Sequence, residues 1–354
     1  MRQAMSAGSR TNIVSTTRCA LSSPIARSRS RKASGGKRAS SAGRKKEIQM
    51  DLESSIFRLK PFSCASDVDD LFSFAYSSIS ERNAAEGMLR PITDYQRAHE
   101  RSLESADGEK FTVDGQCAMC GRFGPMITSY MYCIEEADGH RTPNWREHLA
   151  CQCGFPNRVR ASMHFMMATA QVNPFASVYV TERVTPLYAW LEQRFPKLQG
   201  SEFLGANVEP GAVVNSIRHE DVSRLSFADN SFDLVMSFDV LEHVVDVDAA
   251  IRQLARVLKP GGKLIFQAPT MSDVQDTLVR ARIGADGQIE HILPPELHGN
   301  PVDPENGALC FRYLGVDTLD KLRGAGFSTA KLIQYWSRHY GYLGAAQVLF
   351  YAEK

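Results

Sequence analysis

The chain has 354 residues, of which 43% are hydrophobic and 23% are charged, a balance typical of a globular protein with one large domain and a smaller one. No stretch approaches the roughly 20 apolar residues that cross a bilayer, and the first residues lack the apolar core of a secretory signal. No membrane association is expected. The default location is cytoplasmic, with reduced thiols for the eight cysteines.

The net charge of +1 conceals an uneven distribution. Residues 1–46 hold twelve Lys or Arg residues and no acid, so the remaining residues carry a net charge of −11. Binding of nucleic acid needs clustered cations that neutralise phosphates. The acidic body therefore argues against nucleic acid as its main partner.

A disordered basic tail is predicted for residues 1–47, because a segment rich in Ser, Arg, Ala and Gly buries too little surface to offset the entropy of ordering. Three functions fit it: an organelle transit peptide, a nucleic-acid-binding arm, and an extension upstream of a true start at Met50. The last is favoured, since an ordinary acidic and apolar sequence begins at Met50. A tail that is merely solvated remains the simplest interpretation.

A helical segment is predicted for residues 48–108. The helical pattern is clearest over residues 67–101. Four apolar residues there are spaced to share one helix face: Val68, Leu71, Phe72 and Tyr76.

A zinc-ribbon-like module is predicted for residues 109–165. It contains two close cysteine pairs, Cys117 with Cys120 and Cys151 with Cys153. Four thiolates on two tight turns suit a tetrahedral, structural zinc ion. Because the pairs lie thirty-one residues apart and the second is Cys-x-Cys, one ligand could come from elsewhere in the module: Cys133, His140 or His148. The alternatives are small buried hydrophobic residues and, less favoured, a redox Cys-x-x-Cys.

Strand-like apolar runs alternate with amphipathic helices over the last predicted domain, residues 166–354, which indicates a parallel sheet covered on both faces. In the first such unit, SVYVTERVTPLY, Thr185 suits a helix N-cap and Pro186 the first helical position. The turn between strand and helix holds no glycine.

Residues 219–269 carry the most specific pattern. An acid, Asp221, precedes an apolar-aromatic step at Leu225 and Phe227; NSFDLV then enters a strand, DVLEHV leaves it, and RVLKPGG closes a helix that Asp246 can cap. In this order and spacing the segment resembles the type 11 group of class I S-adenosylmethionine-dependent methyltransferases. The resemblance implies a Rossmann-like α/β fold, mostly parallel with an antiparallel last strand, and S-adenosylmethionine as cofactor.

The resemblance also implies cofactor contacts. Glu202 fits the acid at the tip of the second strand that holds the ribose hydroxyls, because a carboxylate accepts two hydroxyl hydrogen bonds. Asp221 would accept from the adenine amino group, with Val222 packed on the ring. Ser237 and Phe238 follow the fourth strand, near the methionyl part. Each of these residues could instead be an ordinary loop or core residue.

The glycine-free turn changes how the methionyl part would be held. In the family, glycines after the first strand let the backbone approach the cofactor. Here Glu182 is predicted to accept the cofactor's amino group and Arg183 to meet its carboxylate. Arg158 and Arg160, just after the second cysteine pair, are interpreted as structural or interdomain cations.

Two histidines are candidates for catalysis. His243, just after the fourth strand, could act as a general base on an acceptor hydroxyl. His298 lies in a polar insertion after the fifth strand, seven residues after His291, on the expected substrate side. Substrate contact is favoured over metal for the pair His291 and His298, because no acid or cysteine accompanies it at a familiar ligand spacing.

These features predict a methyltransferase that acts on a small-molecule or saccharide-type acceptor, through oxygen because of His243. The alternative is a catalytically silent, methyltransferase-like binding module with a structural zinc site. The missing glycines favour the alternative, and the acids Glu202 and Asp221 oppose it. A zinc-dependent nucleic-acid-binding protein would depend on the basic tail alone. The sequence identifies neither the acceptor nor the oligomeric state.

Overall fold

The computed structural model describes residue 62 and residues 71–105 and 108–354, all of which belong to one compact unit. The predicted tail at residues 1–47 and most of the sequence before residue 71 lie outside the described residues. Within the described ranges, no helix combines the length and the apolarity needed to cross a bilayer.

A seven-stranded mixed sheet forms the centre of the fold. In chain order its strands β1 to β7 are Phe72–Tyr76, Ser177–Val180, Lys197–Gly200, Phe232–Phe238, Leu258–Gln267, Thr329–Ser337 and Tyr342–Glu353. Their spatial order is β1-β6-β7-β5-β4-β2-β3. Neighbours among β2, β3, β4 and β5 pair in parallel, and β7 is antiparallel to both β5 and β6. The predicted Rossmann-like sheet with an antiparallel last strand is therefore confirmed.

Seven α-helices accompany the sheet within the described residues. In chain order α1 to α7 are Ile79–Ala84, Glu86–Leu103, Trp145–His148, Asn157–His164, Pro186–Glu192, Val247–Val257 and Thr318–Gly324. A π-helical turn covers Phe165–Thr169 and a 3-10 turn covers Val222–Arg224.

Short strands build the remaining structure. The cysteine module holds a three-stranded sheet of Lys110–Gln116, Phe123–Ser129 and Ala150–Cys151. Five two-stranded ladders complete the described chain: Ile134–Glu135 with Arg141–Thr142, Val213–Val214 with Ile217–Arg218, Leu278–Val279 with Arg312–Tyr313, Ala281–Ile283 with Ile289–His291, and Leu297–His298 with Ala308–Leu309. The last three form the insertion after β5.

The helix starts follow the predicted capping residues. The Thr185 hydroxyl accepts a hydrogen bond from the Tyr188 amide at 3.2 Å, and Pro186 is the first residue of α5. Asp246 accepts from the Ala249 amide at 2.8 Å at the start of α6. Each cap satisfies an amide that has no partner inside its helix. The helical unit that follows β2 therefore forms without the usual glycines.

The prediction of a helix over residues 67–101 is wrong at its beginning. Residues 72–76 are the edge strand β1, which pairs antiparallel with β6, and helix starts only at Ile79. The sequence FSFAY alternates aromatic and small residues, a two-residue period that suits a strand. The free edge of β6 supplies the backbone partners, so tertiary pairing overrides the helical spacing.

The hydrophobic core lies on both faces of the sheet. On one face, Val178, Val180, Leu234 and Met236 pack in the same cluster as residues of the cysteine module, including Cys117, Trp145 and Leu149. On the other face, α6 and α7 cover the alternate residues of the same strands, including Tyr179, Val235 and Phe266. The cysteine module is thus continuous with the core beneath the carboxyl edge of the sheet.

Candidate active site and metal centres

Strands β2 and β4 are parallel neighbours, so the segments that follow them leave the sheet at the same edge. Just beyond β2, the Thr181 amide donates to the Met236 carbonyl at 3.1 Å, and the Thr181 hydroxyl donates to Ser237 Oγ at 3.0 Å. Ser237 is fully buried and Phe238 nearly so. Ser237 therefore joins the two strand ends, and Phe238 packs in the core, whereas both were predicted to contact the cofactor.

Glu202 lies at the tip of the second parallel strand, as the resemblance implies. Its Oε1 accepts hydrogen bonds from the amides of Arg183 and Val184 at 2.6 and 2.9 Å, and thereby fixes the glycine-free turn. Its Oε2 has no hydrogen-bond partner among the residues that the structure describes. That oxygen remains available for a ribose hydroxyl.

A glycine in the neighbouring strand β3 lets the turn after β2 and the following helix approach closely. A Cβ on Gly200, the last residue of β3, would lie 2.2 Å from the Tyr188 ring and 2.6 Å from the Glu182 carbonyl oxygen. Because Gly200 has no side chain, the turn after β2 and helix α5 can pack directly against the end of β3. The sequence of the turn alone does not indicate this contact with Gly200.

Asp221 and Val222 lie on the segment next to Glu202. A parallel bridge pairs Glu202 with His219, so Asp221 lies two residues beyond it in the direction of the sheet edge. One Asp221 oxygen caps the turn through Ser223, and the other lies 3.2 Å from Arg224 Nε. Val222 is largely buried. Each oxygen of the Asp221 carboxylate, which the resemblance assigned to the adenine amino group, thus already has a local contact.

Glu182 carries the most perturbed carboxyl at this edge. Burial raises its pKa to about 7, although a hydrogen bond from the Thr185 hydroxyl and the charge of Arg158 oppose the rise. The Arg183 guanidinium does not pair with Glu182. It lies 4.1 Å from the centre of the Tyr188 ring and 3.9 Å from Glu192. Arg158, from the cysteine module, is therefore the cation that acts on Glu182.

A partly buried ionic network joins the cysteine module to the sheet edge. Asp239, the first residue after β4, has φ of 52° and pairs with Arg146 at 2.7 Å and with Arg158 at 3.0 Å. Glu147 also pairs with Arg158 at 2.7 Å and with Arg146. Burial opposes ionisation of Asp239, but the two guanidiniums outweigh it and hold its pKa below the usual range. The sequence did not predict this network, because Asp239 lies 93 positions from Arg146 and 81 positions from Arg158 along the chain.

Arg160, in contrast, is structural. It is fully buried and donates to the carbonyls of Tyr340, Leu149 and Gly341. This agrees with its interpretation as a structural cation, whereas Arg158 belongs to the charged edge.

The two catalytic candidates, His243 and His298, meet beside the same edge. Their rings are perpendicular, with centroids 5.0 Å apart, and both face the fully buried Glu242. The carboxylate of Glu242 raises the pKa of His298 to about 9, with burial opposing and Glu296 adding to the rise. His291 is exposed in a hairpin, so the partner of His298 is His243 and not His291.

The insertion holds the turn that carries His243. Arg312 donates to the carbonyls of Leu241, Val244 and Val245, and the Phe311 amide donates to the carbonyl of Glu242 at 2.8 Å. These bonds satisfy backbone groups of a turn that would otherwise be poorly paired. The polar insertion expected on the substrate side therefore also holds the turn that carries His243.

The four predicted cysteines form a compact cluster. Sγ of Cys117 lies 3.7 Å from Sγ of Cys153, and Sγ of Cys120 lies 3.7 Å from Sγ of Cys151. All four sulfurs lie within 4.8 Å of one another, and Cys133, His140 and His148 are not among them. Zinc–sulfur bonds of about 2.3 Å in a tetrahedron require sulfurs about 3.8 Å apart. The donor set and spacing therefore fit zinc, and the separations are too long for disulfides.

Residues 169–266, which run from the π-helical turn through β5, match a family model described as a methyltransferase domain. The matched segment is similar to a methyltransferase domain, and it contains the parallel strands β2 to β5 of the central sheet.

Curated relatives carry related names. The chain is 32% identical over 133 residues to a ubiquinone biosynthesis O-methyltransferase of Chelativorans sp., with 37% of this chain and 50% of that protein covered. It is 51% identical over 53 residues to a demethylmenaquinone methyltransferase of Mycolicibacterium paratuberculosis, which covers 14% of this chain and 23% of that protein. The chain thus spans half or less of the length of these relatives. A solved S-adenosylmethionine-dependent methyltransferase from Mesorhizobium loti aligns with 18% identity and a TM-score of 0.34, covering 52% of this chain and 94% of that one.

Proposed function

We propose that the protein is an active S-adenosylmethionine-dependent methyltransferase that methylates an oxygen of a small-molecule or saccharide-type acceptor. The observation that carries the proposal is the charged group at the carboxyl edge, where Glu182, Asp239 and Arg158 lie beside the free oxygen of Glu202. Open α/β sheets bind their ligands at this edge. S-adenosylmethionine would supply the methyl group there.

The charges suit the amino-acid end of the cofactor, which carries one ammonium and one carboxylate. Glu182 would bind the ammonium, and Arg158 the carboxylate, with Asp239 and Arg146 balancing the remaining charge. Pairing of both the ammonium and the carboxylate within this network would limit their desolvation cost. Glu202 Oε2 would accept from the ribose.

The oxygen preference has two supports. The histidine pair lies beside the same edge, where a base or another activating group would act on an acceptor hydroxyl. In addition, the Chelativorans relative carries O-methyltransferase in its name. Alignment of acceptor, methyl group and sulfur supplies the rest of the catalysis.

We expect the affinity for S-adenosylmethionine to rise with pH in a way that depends on Glu182. A carboxyl with a pKa of about 7 is mostly neutral at pH 5.5 and mostly ionised at pH 7.5. Only the ionised form attracts the cofactor's ammonium, so the affinity should increase by at least about tenfold over this interval. Calorimetric titration at several pH values measures it. In Glu182→Gln, binding should be weaker and nearly independent of pH.

Glu192→Gln provides the matched control, because Glu192 is an exposed acid in the adjoining helix α5. It should keep the affinity and pH profile of the native protein. A flat profile in the native protein, or the same slope in Glu182→Gln, would contradict the role of Glu182. Absence of binding at millimolar cofactor in all variants would instead favour the alternative function, a catalytically silent binding module. The glycine-free turn and the local contacts of the Asp221 carboxylate support that alternative.

The cofactor-free protein offers an independent check on Glu182. Its pKa in the folded protein lies above the ordinary value of 4.5, so its stabilising contribution is complete below pH 4.5 and is lost as the pH rises through about 7. Glu182→Gln avoids that loss. Its free energy of unfolding relative to the native protein should therefore rise between pH 5 and pH 8, as measured by urea denaturation. A difference that stays constant over this range would contradict the raised pKa.

We further propose that the four-cysteine cluster binds one structural zinc ion. Four thiolates complete the tetrahedron, so no coordination position is left for a substrate, and the ion would serve folding alone. Elemental analysis of carefully purified protein should find at least one zinc ion per chain.

A further inference from the structure

Glu242 is a buried acid with an unusual environment. It follows β4 in the turn before α6, and its side chain is 0% exposed. Neither of its carboxylate oxygens has a hydrogen-bond partner among the described residues. A buried carboxylate is costly unless a cation or several donors compensate for the lost water. The position therefore calls for a positive charge at its oxygens.

His243 presents a bare nitrogen to this carboxylate. Its Nδ1 lies 2.9 Å from the carbonyl oxygen of Leu309, and a carbonyl can only accept, so Nδ1 carries the hydrogen. In the neutral ring, Nε2 then has only a lone pair. Nε2 lies 3.5 Å from Glu242 Oε1, so two acceptors face each other. Such a contact is repulsive unless a cation lies between the two atoms.

His298 repeats the arrangement from the insertion. Its Nε2 lies 2.9 Å from Oε1 of Glu296, to which it donates, and its Nδ1 lies 3.6 Å from Oε1 of Glu242. Glu296 in turn accepts from the Tyr313 hydroxyl and pairs with Arg280 at 3.0 Å. Metal-binding histidines typically donate their other ring hydrogen to a carbonyl or carboxylate, which fixes the ring. Both imidazoles here are held in that way.

The distances also suit a shared ion. Two ligands at about 2.1 Å from a metal and about 110° apart are separated by about 3.4 Å. The two imidazole nitrogens lie 3.5 and 3.6 Å from Glu242 Oε1, and one ligand atom from each of the three residues lies within 4.8 Å of the others. Cys310 is close to His298, but its thiol donates to the carbonyl of Arg312.

We propose that Glu242, His243 and His298 bind one divalent metal ion of the zinc or cobalt type. Two imidazoles and one carboxylate leave coordination positions open, unlike the four-cysteine cluster. If the proposed methyltransferase function holds, the ion would favour ionisation of an acceptor hydroxyl. The O–H bond breaks and its proton passes to solvent, while the O–C bond forms as the S–C bond of the cofactor breaks. His243 is then a ligand and not a general base.

Cobalt binding to the full-length, chelator-treated protein tests the site without any methyl transfer. Equilibrium dialysis with Co²⁺ should give one bound ion fewer for Glu242→Gln than for the native protein, or a dissociation constant at least 30-fold weaker at that site. Glu290→Gln, which removes an exposed acid of the same insertion, should bind like the native protein. Cobalt should also raise the unfolding temperature of the native protein more than that of Glu242→Gln.

A second variant keeps the test decisive if Glu242→Gln folds poorly. His298 is partly exposed, so His298→Asn changes little packing and should lose the same cobalt ion. Retention of the full cobalt content in Glu242→Gln or in His298→Asn would overturn the proposal and identify a proton as the cation between Glu242 and the histidines. Because cofactor titration is measured separately, a failure here is distinguishable from a failure of the proposed methyltransferase function.

Discussion

Replacing Cys153 by serine is expected to remove the zinc ion of the cysteine module and to destabilise the protein by roughly 4 kcal/mol or more, the scale on which structural zinc contributes to folding. Cys153 is exposed, so exchanging its sulfur for oxygen disturbs no packing. The loss would therefore measure the metal. Elemental analysis and urea denaturation of the purified variant check the two parts of this prediction.

Cys133→Ser is the matched control. Cys133 belongs to the same module but lies outside the cluster, and its thiol accepts a hydrogen bond from Arg141. It should keep the zinc and stay within about 1 kcal/mol of the native stability. If Cys153→Ser keeps as much zinc as Cys133→Ser, or if both variants lose the same stability, the four-thiolate site is refuted.

Asp239→Asn should be the most damaging single change at the sheet edge. It leaves Arg146 and Arg158 with an uncompensated charge in a largely buried site, which costs about 2–4 kcal/mol. Asparagine tolerates the φ of 52° at this position, so backbone strain does not contribute. Because the pKa of Asp239 lies below the ordinary value, the stabilisation is present above about pH 4 and is lost as the pH falls through the lowered pKa. Affinity for S-adenosylmethionine should fall as well.

Asp233→Asn is the control that shows whether this loss is specific to Asp239 or follows from breaking any ion pair. Asp233 pairs with Lys259 at 2.8 Å, but both side chains are more than a third exposed. Such pairs contribute at most about 1 kcal/mol, and the asparagine oxygen can still accept from the Ser177 amide. Equal losses of stability in Asp239→Asn and Asp233→Asn, measured by urea denaturation, would contradict the network at the edge.

Local chemistry made part of this structure predictable. Thr185 and Asp246 cap their helices as expected, because a cap depends only on residues two or three positions away. The cysteine pairs converge as expected, since each pair already lies on one tight turn. The order of motifs around Asp221 also predicted the mixed sheet.

Long-range contacts explain what the sequence did not reveal. Glu242 stands next to His243, yet its importance depends on His298, which only the folded insertion brings near. Likewise, Arg158 follows the second cysteine pair, and nothing local indicates that it meets Asp239 beyond β4. Strand β1 is a strand because the edge of β6 is available to pair with it.

The ionic network between the cysteine module and the sheet edge links two sites that have no residue in common. Arg146 and Arg158 lie on helices that flank Cys151 and Cys153, and their guanidiniums are held by Asp239 where the cofactor would bind. Loss of metal from the thiolates would release both helices and, with them, the partners of the methionyl group. If both proposals hold, the folding role of the zinc ion would extend to the sheet edge, and a preparation depleted of zinc would bind S-adenosylmethionine more weakly although every residue of the sheet is intact.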